Sequence, residues 1–148
     1  MMVTKSSPVE KAASCFRGGY NCAQCVLLTM QEFWNVEDPL EPRVASAFGG
    51  GIGGRGSLCG ALTGGIIAIG LNFGSNTPSP KEREEAYLLA LKSYNRFKKE
   101  CGSTLCRDLI GYDLTDPREL ENAGNSEVFL DKCVHFVKKA VKILTDLK

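Results

Sequence analysis

Histidine is almost missing from this sequence, which contains a single one, His135. Hydrolytic centres of the Ser-His and Cys-His types need an imidazole as their base, so the scarcity of histidine argues against both classes. His135 lies two positions after Cys133, and residues two apart point to nearly opposite sides of a helix. We therefore expect His135 to be a solvent-exposed residue.

An excess of charge of either sign is also missing, because 18 Lys and Arg residues face 17 Asp and Glu residues. Nucleic acids and anionic membranes attract basic patches and tails, so neither is expected as a partner. The uncharged run 56–80 has an apolar part, 58–73, that is short and glycine-rich for a membrane span, and it predicts a buried helix instead. The first residues, MMVTKSSPVEKAASCF, lack the apolar segment of a secretory signal, so a cytoplasmic protein is expected.

Alternating strand patterns and internal repeats are absent, whereas helix signals recur along the chain. Ser7-Pro8 is typical of an N-cap followed by proline at the first helical position, and Asp116-Pro117 repeats the pattern. The composition, 43% hydrophobic and 24% charged, is that of a globular domain. We predict an all-α fold, a single domain spanning residues 1–148 and built as a compact bundle of about five to seven helices.

The clearest predicted helix starts at Ser79-Pro80. Its apolar residues recur at helical spacing, which predicts that they face the core; they are Tyr87, Leu91, Tyr94 and Phe97. The aromatic residues and a glycine-lined helix are together more apolar than one small domain needs, so a homodimer is expected.

Glycine is concentrated between Gly49 and Gly56, which predicts an irregular loop because only glycine takes positive φ at little cost. Converging loop amides and the N-terminus of the next helix, beside Cys59, could stabilise a thiolate or the sulfurs of a metal cluster, and Arg55 could add to that field. Alternatively the glycines only make room for close helix packing. Glycines at 60, 64, 70 and 74 predict such close approach of a neighbouring backbone.

Seven cysteines are many for this length, and without an export signal they are expected to be reduced, as core residues, metal ligands or redox groups. Four of them come from four separate segments, as expected if they converge on one point: Cys22, Cys59, Cys106 and Cys133. Cys22 and Cys25 form a CxxC that could place two thiols on one metal. Cys25 falls at the edge of the apolar stripe of its helix, so a spectator thiol is the alternative. Cys101 extends the stripe of the long helix.

Several segments together resemble one family. Phe16-x-x-Gly-Tyr-Asn-Cys-Ala-Gln24, Phe48-Gly-Gly-Gly-Ile-Gly53, Cys59-Gly-Ala-Leu-Thr-Gly-Gly65 and Cys106-Arg-Asp-Leu-Ile-Gly111 are similar to motifs of the C_GCAxxG_C_C family of redox-active proteins. The four defining cysteines of that family correspond to Cys22, Cys59, Cys106 and Cys133. Cys15, Cys25 and Cys101 are extra to the pattern, and Cys25 and Cys101 are kept as possible additional thiols.

The resemblance implies a redox or metal role without naming a reaction, so it does not decide whether the protein is an enzyme. Because the family looks related to the iron–sulfur part of split-Soret cytochromes, it implies a [2Fe–2S] cluster on the four cysteines and an unidentified redox partner protein. Residues around the cluster are then expected to be Gly51, Gly53, Arg55 and Gly60. A metal-free thiol–disulfide protein and a zinc-binding or structural protein are the alternatives.

Overall fold

The computed structural model describes residues 6–147, and within this range the protein is all-α, as predicted. A 3₁₀-helix, Pro42–Phe48, and a single π-helical turn, Phe129–Cys133, interrupt the series of α-helices. The α-helices are α1 (Pro8–Arg17), α2 (Cys22–Phe33), α3 (Gly60–Phe73), α4 (Glu84–Cys101), α5 (Cys106–Ile110), α6 (Pro117–Asn125) and α7 (Val134–Thr145).

Local signals in the sequence account for where these helices begin. Ser7 and Asp116 cap α1 and α6, each followed by proline in the first turn. At α2 the Asn21 side chain accepts a hydrogen bond from the Gln24 amide, while the Gln24 side chain accepts one from the Asn21 amide. This reciprocal capping box fixes the first turn of α2, which carries Cys22.

The core lies where α2, α3 and α7 pack together, and glycine allows α2 and α3 to approach closely. A Cβ on Gly64 would lie 2.2 Å from the carbonyl oxygen of Ala23, and one on Gly65 would lie 2.8 Å from Cδ1 of Leu144. The predicted role of glycine in close packing is therefore confirmed at Gly64. It is wrong at Gly70, which has no atom within 4 Å of such a Cβ, and Gly74 ends the helix.

The long helix α4 differs from its prediction in both start and orientation. It begins at Glu84 rather than Pro80, and Tyr87 and Leu91 are 67% and 57% exposed instead of buried. The inner face is formed by Leu89, Ser93 and Phe97, because α4 has apolar residues on two sides and the core takes only one. Periodicity alone does not say which stripe is covered.

The last helix confirms most of its predicted stripe, since Phe136, Val137, Ala140, Val141 and Leu144 are buried. His135 is exposed, as expected. In the described part of the chain, no helix combines the length and the apolar character needed to cross a membrane.

Candidate functional site

Two distant segments pair beside the glycine loop and bring Cys59 next to Cys106. The Cys59 amide donates to the carbonyl of Thr104 over 2.8 Å, and the Cys106 amide donates to the carbonyl of Ser57 over 2.7 Å. Leu58 and Leu105 form an isolated antiparallel bridge between them. Each cysteine then starts its helix, with Cys59 as the N-cap of α3 and Cys106 as the first residue of α5.

Cys22 reaches the same place from the capped N-terminus of α2. The side-chain nitrogen Nδ2 of Asn21 donates to the carbonyl of Ser46 over 2.9 Å, and Nε2 of Gln24 donates to the Ser46 hydroxyl over 3.0 Å. These bonds hold the 3₁₀-helix against the first turn of α2, so the glycine loop that follows Phe48 starts beside Cys22.

Cys133 comes from the π-helical turn that precedes α7. Such a turn contains one residue more than an α-helical turn, and π-turns occur frequently at functional sites. Phe129 and Cys133, at its two ends, are both partly buried and pack against Cys106 and its neighbours.

All four cysteines line one cavity of about 400 Å³, so the structure brings together the set that the sequence predicts. The rest of the wall is predominantly apolar. It is formed by Phe16, Gly19, Tyr20, Asn21, Gly49, Gly50, Gly60, Leu109, Ile110, Leu114, Phe129 and Phe136. The cavity is therefore an apolar chamber with thiols contributed by four different elements.

The thiols are not gathered tightly around one point. Within residues 6–147, no three Cys, His, Asp or Glu side chains are arranged to hold a single metal ion. The space between the cysteines is of the size of a small-molecule site, which typically has about 300–1,000 Å³.

Burial raises the pKa of every thiol in the cavity above its ordinary value. The pKa of Cys106 rises to about 11 and that of Cys133 to about 12, mainly because burial disfavours the charged form and secondly because Cys22 lies nearby. The pKa values of Cys22 and Cys59 are raised for the same first reason. In the absence of a bound metal, burial therefore outweighs the predicted stabilisation of the thiolates by the loop amides.

Backbone amides nevertheless act in the predicted direction on two of these sulfurs. The amides of Gly50, Ala23 and Gly60 lower the pKa of Cys22, and those of Ala61 and Leu62 lower the pKa of Cys59, against the larger effect of burial. They come from the glycine loop and the first turns of α2 and α3. The chamber thus has donors directed to the thiolates once the protons have been removed.

The four residues expected around the site fall into two groups. Gly60 touches Cys22, since a Cβ there would lie 2.3 Å from Sγ, and a Cβ on Gly51 would lie 2.7 Å from Cβ of Cys106. Gly53 has no neighbouring atom within 4 Å of such a Cβ. Arg55 is exposed and lies nearer Asp113, whose pKa is lowered mainly by the hydrogen bond from the Thr115 hydroxyl and least by Arg55. Of the four expected residues, Gly60 lines the chamber, and Gly51 contacts Cys106 from behind the chamber wall.

The remaining cysteines lie outside the chamber. Cys25 is fully buried between α1 and α2 rather than at an edge, its thiol donates to the carbonyl of Tyr20 over 3.7 Å, and Cys15 is its thiol neighbour. Cys101, near the end of α4, has a pKa raised by burial to about 11. The CxxC therefore sends one thiol into the chamber and the other into the core.

Sequence reasoning missed the apolar wall of the chamber. Phe129 and Phe136 lie on the predicted stripe of the last helix and were expected to be core residues, but they line the chamber. Tyr20 and Leu114 are in connecting segments, where no periodicity marks them. The one available signal was the position of Tyr20 beside Asn21 and Cys22.

Comparison with protein families gives a match over most of the chain. Residues 20–147 match the sequence profile of a family described as "Putative redox-active protein (C_GCAxxG_C_C)". Neither a curated protein nor a solved structure is similar enough to count as a match.

Proposed function

Because the chain belongs to the C_GCAxxG_C_C family of redox-active proteins, we propose that it carries out electron transfer or redox sensing with an iron–sulfur cluster bound by Cys22, Cys59, Cys106 and Cys133. The observation that carries this proposal is the chamber itself, in which these four thiols alone among the seven line one apolar space. The cluster, most simply [2Fe–2S], would supply reversible one-electron chemistry when bound.

The donor set and the dimensions fit such a group. Cysteine thiolates are the usual ligands of iron–sulfur clusters, and the wall formed by the described residues offers no competing carboxylate or imidazole. A single zinc ion needs all its sulfurs at about 2.3 Å, and in the described part of the chain no three ligands are gathered in that way. Two irons bridged by sulfide spread four thiolates over a longer distance, which suits a chamber of about 400 Å³.

The backbone amides near Cys22 and Cys59 stabilise negative charge on the sulfurs of the chamber. Loading the chamber requires the loss of the thiol protons, and burial opposes this step while the amides near Cys22 and Cys59 favour it. Once the sulfurs are bound, the same amides offset their negative charge. Phe129 and Phe136 keep water from the site. The hydrogen bonds from the amides and the exclusion of water together set the reduction potential of the cluster.

A metal-free dithiol mechanism has less support. The attacking group in thiol–disulfide exchange is a thiolate, and thiols whose pKa is raised to about 11 or 12 are mostly protonated at neutral pH. Among residues 6–147, neither histidine nor lysine lines the chamber to compensate.

Single serine substitutions, analysed after anaerobic purification, test the proposal. Serine preserves the size of the side chain but is a poor ligand for iron. We expect iron content and visible absorption to fall strongly in Cys22→Ser, Cys59→Ser, Cys106→Ser and Cys133→Ser. Cys15→Ser and Cys101→Ser serve as matched controls that retain both signals.

The comparison of Cys22→Ser with Cys25→Ser is the most sensitive part of the series, since the two residues are one helical turn apart. Cys25 lies in the core, so Cys25→Ser is expected to lower stability while the remaining folded protein keeps its iron. Equal loss of iron per folded chain in both variants would contradict the assignment and make the CxxC the ligand pair.

A further inference from the structure

The outer face of α4 is an exposed apolar surface. Tyr87, Leu88 and Leu91 are 67%, 55% and 57% exposed. Together with Ile66 of α3 they line an open groove on the side of the molecule formed by α3 and α4. Contiguous apolar patches of this kind mark interaction sites more often than isolated exposed residues do.

The register of this face is symmetric about Leu91. Glu84, Leu91 and Lys98 are spaced seven residues apart and therefore lie on one side of the helix, with Tyr87 and Tyr94 between them. Leu91 is at the middle of this row, an acidic residue is at one end, and a basic residue is at the other.

The two ends of α4 carry opposite charges, and these favour an antiparallel pairing of two α4 helices. The first turn carries Glu84 and Glu85, and the last turn carries Lys98 and Lys99. If two copies of the helix lie side by side and antiparallel, Glu84 of one copy lies opposite Lys98 of the other. A parallel arrangement would place like charges together at both ends, which is unfavourable.

We propose that this face binds a second copy of the same chain, with two α4 helices packed antiparallel across a twofold axis near Leu91. Such an interface is isologous, because each copy contributes the same residues. Leu91 meets Leu91 of the second copy at the axis, Leu88 and Tyr87 lie against the Tyr94 end of the facing helix, and the two Glu84–Lys98 pairs close the ends.

This arrangement also explains the sequence pattern of α4. Phe97 packs into the core of its own chain, whereas Tyr87 and Leu91, from the same apolar stripe, point outwards. A helix covered on one side by its own core and on the other by a second copy needs apolar residues on both sides. The helix α3 contributes Ile66 to the groove, whereas its Gly60, Gly64 and Gly65 make close contacts inside the molecule.

Sedimentation of the full chain over a range of concentrations tests the inference. We expect wild type to reach twice the chain mass of 16.0 kDa. Leu91→Glu places a charge at the axis and should raise the dissociation constant at least about tenfold. The matched control is Leu120→Glu on α6, since Leu120 is also exposed, at 48%, but lies outside the groove, and this variant should associate like wild type.

A charge exchange tests the antiparallel register without touching the apolar residues. Glu84→Lys and Lys98→Glu should each weaken association, and the double variant Glu84→Lys/Lys98→Glu should restore it. Lys99→Glu, one residue further around the helix, is the control and should have a smaller effect than Lys98→Glu. Circular dichroism confirms that each variant is folded.

Three results would overturn the proposal. One is that the wild-type chain stays monomeric at high concentration, even if this face binds a different protein. Another is a Leu91→Glu variant that associates as well as Leu120→Glu. The third is failure of the double charge exchange to restore association. Iron binding enters none of these outcomes, so they are independent of the cluster.

Discussion

Gly60 and Gly64 lie one turn apart on α3 and face the same helix, α2, but they meet different atoms. Gly64 makes room for backbone, the carbonyl of Ala23, deep in the packed core. Gly60 makes room for a sulfur, that of Cys22, at the edge of the chamber. The region around Gly64 only has to be close-packed, whereas the region around Gly60 has to hold a reactive thiol. In this protein one residue type serves both purposes within a single helix.

The largest expected effect comes from Gly64→Ala. The new Cβ would lie 2.2 Å from a backbone oxygen that no side-chain rotation can move, so α2 and α3 must separate. We expect a loss of about 3 kcal/mol or more in the free energy of unfolding, at or beyond the usual cost of overpacking. Chemical denaturation measures it. Gly70→Ala, in the same helix with open space around it, should instead stabilise by about 0.5–1 kcal/mol.

Gly60→Ala should have the opposite profile, with a smaller effect on stability and a larger one on the site. Its closest atom is the end of a side chain, which can rotate away, and the next contacts are 3.2 and 3.3 Å. We expect a cost below about 2 kcal/mol in denaturation. Because Cys22 must leave its position, iron content after anaerobic purification should fall well below that of Gly70→Ala. Equal iron content in the two variants would contradict the chamber assignment.

A third test measures how the free energy of unfolding of the metal-free protein depends on pH. Burial raises the thiol pKa values of Cys106 and Cys133 from the ordinary 9.0 to about 11 and about 12. Groups with a raised pKa in the folded state contribute stability that is complete below the ordinary value and is lost as pH rises through the folded value. Stability should therefore fall between about pH 9 and 12, and Cys106→Ser/Cys133→Ser should flatten part of this fall. An unchanged slope, measured by denaturation at each pH, would contradict the burial of these thiols.

The smallest effect is expected in the glycine loop, at Ile52. Its φ is +69°, which is unusual for a branched residue, and its side chain is 47% exposed. Ile52→Gly should relieve strain of about 1 kcal/mol at the expense of little packing. A slight rise in melting temperature with unchanged iron content is the expected result. A marked fall would mean that the Ile52 side chain has a structural role.

The sequence alone predicts those structural features that depend on residues close together in the chain. Ser7, Asp116 and the loop glycines act within a few residues, so their helix starts and turns could be predicted. The four cysteines could be selected because each marks the start of a helix or an apolar stripe. The orientation of α4 could not be predicted, since its outward face depends on which of its apolar stripes the core covers. Likewise the raised pKa of Cys133 depends on neighbours brought from other elements.

Chemical analysis of the metal content shows directly whether the chamber holds a cluster on four thiolates. The full chain is purified without oxygen, and its iron, zinc and acid-labile sulfide are measured per chain. We expect about two irons and two sulfides per chain, with zinc near zero. Iron and sulfide both near zero in protein that is folded and never exposed to oxygen would contradict it, as would one zinc per chain.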